Sequence, residues 1–261
     1  MSDVELTVSE INSSRRSRPP RRQKTAMAVA QRIVAEISRK RYAPGIKLPA
    51  ERDMLVQYQV GRGTLRESLR FLEMTGVVIV KPGPGGGPVV AEPDARDLAS
   101  TLGLFLELNG TLFGSILEVR EVLEPAIAGL AASRQDAEIM DLLGQSVSAM
   151  AAGLGDPDLF LEENERFHEL VAAAAGNPVF ALLLNSLDHI MDGSRVGVSF
   201  PPERRSAVLA AHTAIWQAIA SGDVEEARAE MAHHVSAFRR YTYKHYPDAA
   251  ATPLRWSDIA P

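Results

Sequence analysis

The sequence contains no cysteine, and this absence narrows the chemistry open to the chain. Disulfide bonds, thiolate metal sites and cysteine nucleophiles are excluded throughout its 261 residues. No apolar run approaches the ~18 residues that a membrane-spanning helix needs, and the first residues lack the apolar core of a secretory signal. Hydrophobic residues make up 46% and charged residues 23%, as in globular proteins. We therefore expect a soluble, intracellular protein with no membrane partner.

The net charge of −5 conceals an asymmetry along the chain. Residues 1–90 carry 16 Lys and Arg against 8 Asp and Glu, whereas residues 91–261 carry 12 against 25. A basic first third and an acidic remainder indicate two domains with different partners, and the basic part is suited to a polyanion. Residues 1–24 end in a basic run and are predicted to be a disordered arm. The arm is either a solvated tail or a segment that reaches DNA phosphates or the minor groove.

Residues 25–92 are predicted to form a winged helix-turn-helix domain. Apolar residues at helical spacing indicate three short helices, over about 26–39, 49–58 and 62–74. Two β-prone runs follow at 77–80 and 88–91, and the proline- and glycine-rich stretch between them suits the tip of a hairpin. That stretch lacks the G-x-x-x-x-G-K-[ST] pattern and no helix begins directly after it, which argues against a nucleotide-binding loop.

The rest of the chain is predicted to be an all-α helical bundle over residues 95–246. Strand signals are almost absent, Ala and Leu dominate, and caps and breakers divide the segment into seven predicted helices. These lie near 94–107, 112–133, 136–153, 157–175, 178–192, 202–220 and 223–245. Residues 247–261 are predicted to be a frayed C-terminal tail. The predicted fold class is therefore mainly α.

The third predicted helix carries a basic stripe. Arg62, Arg66 and Arg70 follow i, i+4, i+8 spacing, about 90° around the helix from a leucine stripe that would face the core. A guanidinium fork matches both guanine edges and phosphates, so these residues are candidates for DNA contact. On an isolated helix a solvated basic face would be the simpler interpretation. The neighbouring helix, the hairpin and the basic balance of the segment favour DNA.

Three stretches in this region resemble one family. Leu48-Pro-Ala-Glu-Arg-Asp-Met-Leu55, Val60-Gly-Arg-Gly-Thr-Leu-Arg-Glu-Ser-Leu69 and Leu72-Glu-Met-Thr-Gly-Val-Val78 are similar to the GntR superfamily of bacterial transcription regulators. The resemblance implies a cytoplasmic, nucleoid-associated homodimer that binds double-stranded DNA operators and is not an enzyme. The implied DNA contacts are Arg52, Arg62, Thr64, Arg66 and the wing near Gly85. Gly61 stands where the family usually has Ser or Thr, which weakens the helix cap by at most a few tenths of a kcal/mol.

The acidic helical part contains candidate metal ligands. Asn164 and His168 are one turn apart on one helix face, and His212 and His234 lie on two later helices. Three imidazoles and one oxygen ligand suit Zn, Ni or a similar ion. Spacing alone leaves open that these histidines are ordinary hydrogen-bonded core or surface residues.

A second resemblance bears on this choice. Glu118-Val-Arg-Glu-Val-Leu-Glu-Pro125, Phe167-His168, Gly176-Asn177 and the two C-terminal helices resemble the FCD domain of the FadR-like GntR subfamily over about residues 95–245. The resemblance implies a divalent metal, zinc or nickel, held by Asn164, His168, His212 and His234. Asn replaces the commoner Asp, which predicts weaker binding. The same resemblance implies that Arg120 pairs with an effector carboxylate. The alternative for Arg120 is an intrahelical pair with Glu124 or Glu121.

The leading hypothesis is a regulator, most often a repressor in this subfamily, that a small carboxylate metabolite releases from a palindromic operator. Two alternatives remain. In the first, the regulator is free of metal and senses a fatty acyl-CoA or another lipid. The helical part could instead be a metal-dependent hydrolase, but it offers no H-E-x-x-H motif and no carboxylate with an evident role as general base.

Overall fold

The computed structural model describes residues 21–83, 85–191 and 197–259. The chain divides between Pro93 and Asp94 into two compact units. Of the basic arm predicted for residues 1–24, residues 1–20 lie outside the described residues. Residues 21–24 belong to a helix and are therefore not disordered as predicted.

The N-terminal unit is the predicted winged helix-turn-helix. It contains α1 (Arg21–Lys40), α2 (Glu51–Tyr58), α3 (Arg62–Met74), β1 (Val78–Lys81) and β2 (Gly87–Val90). The two strands pair antiparallel from Val78 opposite Val90 to Lys81 opposite Gly87. Its core is aliphatic, with Ile33, Met54 and Leu65 each no more than 1% exposed. The order of helices and strands confirms the fold predicted from the sequence.

Helix α3 separates an apolar face from a basic face, as its sequence predicts. Leu65 and Leu72 are buried in the core, whereas Arg62, Arg66 and Arg70 are exposed. The helix ends before Gly76, whose φ of 69° lies in the left-handed region that glycine adopts without steric cost. This turn leads the chain directly into β1.

The C-terminal unit consists of helices with short connections. Its long helices are α4 (Ala95–Leu108), α5 (Phe113–Arg134), α6 (Ala137–Ala152), α7 (Pro157–Ala174), α8 (Pro178–Met191), α9 (Pro202–Ser221) and α10 (Val224–His245). The predicted helices match these bounds to within a few residues. Asp94, Asp136, Asp156 and Asp223 each cap the following helix by accepting a backbone N–H bond. Helix α5 is central, since α7, α8, α9 and α10 all pack against it.

The residues after Tyr246 differ from the predicted frayed tail. They form α11 (Pro247–Ala250) and a 3₁₀ turn at Trp256–Asp258. Leu254 is only 5% exposed and packs in one apolar cluster with Phe113, and its backbone N–H donates to the carbonyl of Thr111 at 2.9 Å. The apolar residues of this segment have no helical or strand period, so the sequence pattern alone did not reveal that they pack on the bundle.

Among the helices of the described ranges, none combines the length and apolar character that crossing a membrane would require.

Candidate functional site

The predicted DNA contacts lie on α2, α3 and the hairpin of the N-terminal unit. The side chain of Arg52 is 90% exposed, and that of Arg66 is 70% exposed. Arg66 is not isolated, because its Nε lies 3.1 Å from a carboxylate oxygen of Glu51 at the start of α2. This ion pair joins the two helices that a helix-turn-helix presents to DNA. Gly61 precedes α3 in an extended conformation and offers no side-chain cap, as the sequence indicated.

The tip of the hairpin requires glycine. Gly85 has a φ of 79°, and a Cβ atom added to Gly86 would lie 2.2 Å from the carbonyl oxygen of Lys81. The ammonium group of Lys47 donates to the carbonyl of Gly85, which holds the wing against the body of the unit. The glycine-rich stretch is therefore a tight structural turn, in agreement with the predicted wing.

Three buried histidines from three helices meet in the C-terminal unit. His168 (α7), His212 (α9) and His234 (α10) are 2%, 0% and 7% exposed. The Nε2 atom of His234 lies 3.3 Å from that of His212 and 3.4 Å from that of His168. Two nitrogens bound tetrahedrally to one zinc at about 2.0–2.1 Å lie about 3.3 Å apart, so these separations match a shared zinc ion.

The surroundings keep two of these imidazoles in the form that binds metal. Burial lowers the pKa of His212 and of His234 well below the usual value, so both rings are neutral near pH 7. The ring of His212 stacks on Phe167 with centroids 4.0 Å apart, which fixes its plane. In the part of the chain that the structure describes, these three nitrogens form one of two groups compact enough to hold an ion.

A buried carboxylate orients one of the three rings. Glu124 on α5 is 1% exposed, and its Oε2 lies 2.7 Å from Nδ1 of His168. A carboxylate that accepts from Nδ1–H leaves Nε2 as the free lone pair, as is common for metal-binding histidines. Burial alone would raise the pKa of Glu124, but the positive charge of Arg120 and the interaction with His168 outweigh burial and hold that pKa at about 2. This contact was not predictable from the sequence, because Glu124 and His168 lie on different helices.

Asn164 lies one turn before His168 on α7 and is half-buried. It lines a cavity of about 450 Å³, together with His168 and His234. Its role as a ligand stays a prediction.

Arg120 also lines this cavity, but its guanidinium is already engaged. Its Nε donates to Glu124 and lies 3.4 Å from Asp188 on α8, and its Nη1 lies 3.3 Å from the sulfur of Met191. The intrahelical pair with Glu124, which the sequence left open, is therefore present. The effector contact predicted for Arg120 stays a prediction. Because its guanidinium already pairs with Glu124, Arg120 is less available to an effector than an unpaired cation would be.

Sequence reasoning missed the cation that is better placed for a ligand. Arg204, near the start of α9, lines the same cavity. Its Nε and Nη2 have no hydrogen-bond partner among the described residues, and burial lowers its pKa. Its guanidinium lies 4.7 Å from the ring centroid of Tyr241. The adjacent arginines at 204 and 205 were the only available signal, and no spacing rule separates such a pair from a solvated helix start.

A second group of potential ligands adjoins the cavity on its more exposed side. Oxygens of Glu165 and Glu169 and a nitrogen of His189 lie within 4.8 Å of one another. Nδ1 of His189 is 3.3 Å from Glu165. This group was not predicted, and its greater exposure distinguishes it from the histidine centre.

A winged helix-turn-helix unit followed by a helical bundle with a ligand-sized cavity is the arrangement of a DNA-binding transcription regulator. Residues 25–86 match the family model for bacterial regulatory proteins of the gntR family, and residues 115–237 match the model of the FCD domain. The chain therefore belongs to the gntR family and carries a C-terminal FCD domain.

Similar proteins include characterised regulators. The HTH-type transcriptional repressor NanR of Citrobacter rodentium is 28% identical over 241 residues, which are 90% of this chain and 92% of that protein. NanR of Escherichia coli K12 is 27% identical and covers 90% of each chain. Among solved structures, Streptococcus agalactiae GntR is 26% identical, with a TM-score of 0.69, and covers 83% of this chain and 99% of its own.

Proposed function

We propose that this protein is a homodimeric repressor that a small carboxylate releases from a palindromic operator. The similarity to proteins named transcriptional repressors supports repression. The wing and the exposed arginines support operator contact, with the proposed contacts at Arg52, Arg62, Thr64, Arg66 and Gly85. A homodimer places one winged unit on each half-site of a palindrome.

The observation that carries the effector part is the convergence of three histidine Nε2 atoms beside a cavity that His168 and His234 line. We propose that His168, His212 and His234, with Asn164 as the oxygen ligand, hold a divalent metal, zinc or nickel. When bound, the metal supplies an electrophilic centre that attracts a carboxylate oxygen. Glu124 and Phe167 fix the rings, so the chain itself preorganises the site.

The effector is proposed to be a small organic acid that pairs with Arg204. Arg204 is half-buried, and its Nε and Nη2 have no hydrogen-bond partner among the described residues. A carboxylate that binds both N–H groups at once would satisfy them and stabilise the complex. The cavity volume of about 450 Å³ is in the range of small-molecule sites. Charged residues on its walls, Arg204 and Asp188 among them, make it a poor site for a fatty acyl chain. The metal-free acyl-CoA alternative is therefore the second candidate.

The ligand shifts the protein towards release only if its contacts differ between the DNA-bound and released states. A coupling of about 1–3 kcal/mol, typical of allostery, changes operator affinity about 5- to 150-fold. Arg204 and His212 lie on α9, whereas Asn164 and His168 lie on α7 and His234 on α10, so a ligand held by Arg204 and the metal would connect three helices.

The experiment begins with a thermal-shift screen of organic acids and acyl-CoAs, with and without divalent metal. A ligand at a hundredfold excess over its Kd stabilises the protein by about 2.7 kcal/mol. Operator affinity is then titrated with the acid that binds, for wild type, Arg204→Ala and Arg120→Ala. We expect Arg204→Ala to lose the response while free operator binding survives.

Arg228→Ala is the matched control, because Arg228 is exposed on α10, pairs with Glu225 and does not line the cavity. Equal responses of wild type and Arg204→Ala would contradict the proposed carboxylate contact. Release by an acyl-CoA in metal-free protein would favour the second candidate. Binding of one chain per palindromic duplex would contradict the proposed homodimer.

A further inference from the structure

Asp188 is a buried carboxylate whose oxygens accept no hydrogen bond from the described residues. Its side chain is 8% exposed, and neither oxygen has a hydrogen-bond partner in the described parts of the chain. Its nearest cation is Arg120, whose Nε lies 3.4 Å away and donates to Glu124 instead. A buried acceptor left without a donor is costly, so such groups normally have a partner in the working state of a protein.

The single cation beside Asp188 has to balance two negative charges. Arg120 is one cation between two buried carboxylates, Glu124 and Asp188. Glu124 accepts from Arg120 with one oxygen, and its other oxygen lies 2.7 Å from Nδ1 of His168. Among the described residues, the oxygens of Asp188 therefore have the weaker contacts.

The position of Asp188 on the cavity wall indicates which kind of ligand would satisfy its oxygens. Asp188 lines the same cavity as Arg204, whose Nε and Nη2 are the complementary unpartnered donors among the described residues. The cavity thus has a wall that lacks a donor and a wall that lacks an acceptor. A plain aliphatic acid satisfies only Arg204 and would bury apolar carbons against a carboxylate.

We propose that Asp188 accepts a hydrogen bond from a hydroxyl or ammonium group of the effector, so that the ligand is a hydroxy acid or an amino acid rather than a plain aliphatic acid. This inference rests on the proposed carboxylate effector and specifies its class. The carboxylate pairs with Arg204, and the donor on the carbon skeleton pairs with Asp188. Asp188 is then a specificity-determining residue, because an acid without the donor leaves its oxygens buried and unpaired.

The test compares acids that differ only in the donor. The pairs are lactate with propionate, gluconate with hexanoate, 2-hydroxyglutarate with glutarate, and glutamate with glutarate. Binding to the full-length protein, as purified with its metal, is measured by calorimetry and thermal shift. We expect the donor-bearing acid of at least one pair to bind about 10-fold or more tightly than its partner, as for a hydrogen bond to a charged group.

Variants assign the preference to Asp188. Asp188→Ala should reduce it to less than about 3-fold and leave binding of the plain acid nearly unchanged, since Arg204 is intact. Asp188→Asn keeps one acceptor oxygen but no charge, so it should retain much of a preference for a hydroxy acid and lose a preference for an amino acid. The control is Glu162→Gln, an exposed carboxylate on the same cavity, which should leave the preference unchanged.

The outcomes separate this inference from the proposed function. Binding of plain acids with no preference for their donor-bearing partners overturns the role of Asp188 and leaves the carboxylate effector standing. A preference that survives in Asp188→Ala also overturns it. If no acid of either kind binds, the proposed carboxylate effector fails, and the role of Asp188 fails with it.

Discussion

Replacing Glu124 by glutamine tests the internal support of the histidine centre. Glu124 is 1% exposed and accepts from Arg120 on one side and from His168 on the other. Glutamine has nearly the same shape, so the packing survives. It removes the negative charge and places an N–H₂ group where one of two acceptors stood. We expect both the stability of the fold and the metal affinity to fall.

The structure sets the size of each effect. Removing one partner of a buried ion pair costs about 3–5 kcal/mol, and Asp188 at 3.4 Å from Arg120 moves the expectation to the low end. A folded-state pKa of about 2 against an ordinary 4.5 independently gives about 3 kcal/mol. Loss of the carboxylate that orients a ligating histidine costs about 10- to 100-fold in metal affinity.

The sign of the pH dependence follows from the depressed pKa of Glu124. A carboxyl group whose pKa is lower in the folded state contributes stability above its unfolded pKa and loses it as the pH falls. Wild-type protein should therefore lose this contribution as the pH falls from about 4.5 to about 2. Glu124→Gln lacks the titrating group and should not show this part of the acid destabilisation.

The assay is urea denaturation with and without chelator, combined with a competition titration for zinc. The control is Glu118→Gln, an exposed residue of the same helix that lies 3.5 Å from Arg239 and should cost less than about 1 kcal/mol. If Glu124→Gln matches that control in stability and binds zinc as wild type does, Glu124 neither stabilises the core nor orients His168.

Three further predictions concern other parts of the molecule. Arg66→Ala should weaken operator binding by about 1–3 kcal/mol if Arg66 contacts a base edge, while Arg39→Ala on α1 should not, as fluorescence anisotropy would show. Chelated protein should lose stability as the pH falls below 6.5, because burial lowers the pKa of His212 and His234 and the unfolded chain then binds protons that the folded chain does not. Urea denaturation midpoints measured between about pH 7.5 and 5.5 would show this loss of stability, and midpoints that do not change with pH would contradict it. Leu254→Ala should cost about 2–5 kcal/mol by denaturation because the side chain is 5% exposed, whereas a frayed tail would tolerate the change.

Helix positions were predictable because local signals agreed with tertiary packing. The leucine stripe of α3 lies in the core, and Asp136 and Asp156 cap the helices that they precede. The segment around Leu254 was not predictable, because it has no internal period and is ordered by contacts with residues more than a hundred positions away.

The candidate site was predictable only in part. His168, His212 and His234 were singled out through a family resemblance, since their spacing alone did not distinguish ligands from ordinary core histidines. Their 3.3 and 3.4 Å separations depend on how three helices pack. Arg204 and Asp188 were missed for a related reason. Each resembles a surface charge in the sequence, and only the packing of the bundle brings both to one cavity, where the described residues leave them without hydrogen-bond partners for Nε and Nη2 of Arg204 and for both oxygens of Asp188.

The most direct test of the metal centre is the metal content of protein purified without chelator, measured by mass spectrometry for wild type and for a His168→Ala/His212→Ala double variant. Three buried imidazoles at zinc-like separations predict about one divalent ion per chain in wild type and none in the double variant. His245→Ala, at an exposed residue of α10, should keep the ion. Wild-type protein without metal, or a double variant with full occupancy, would contradict the proposed centre.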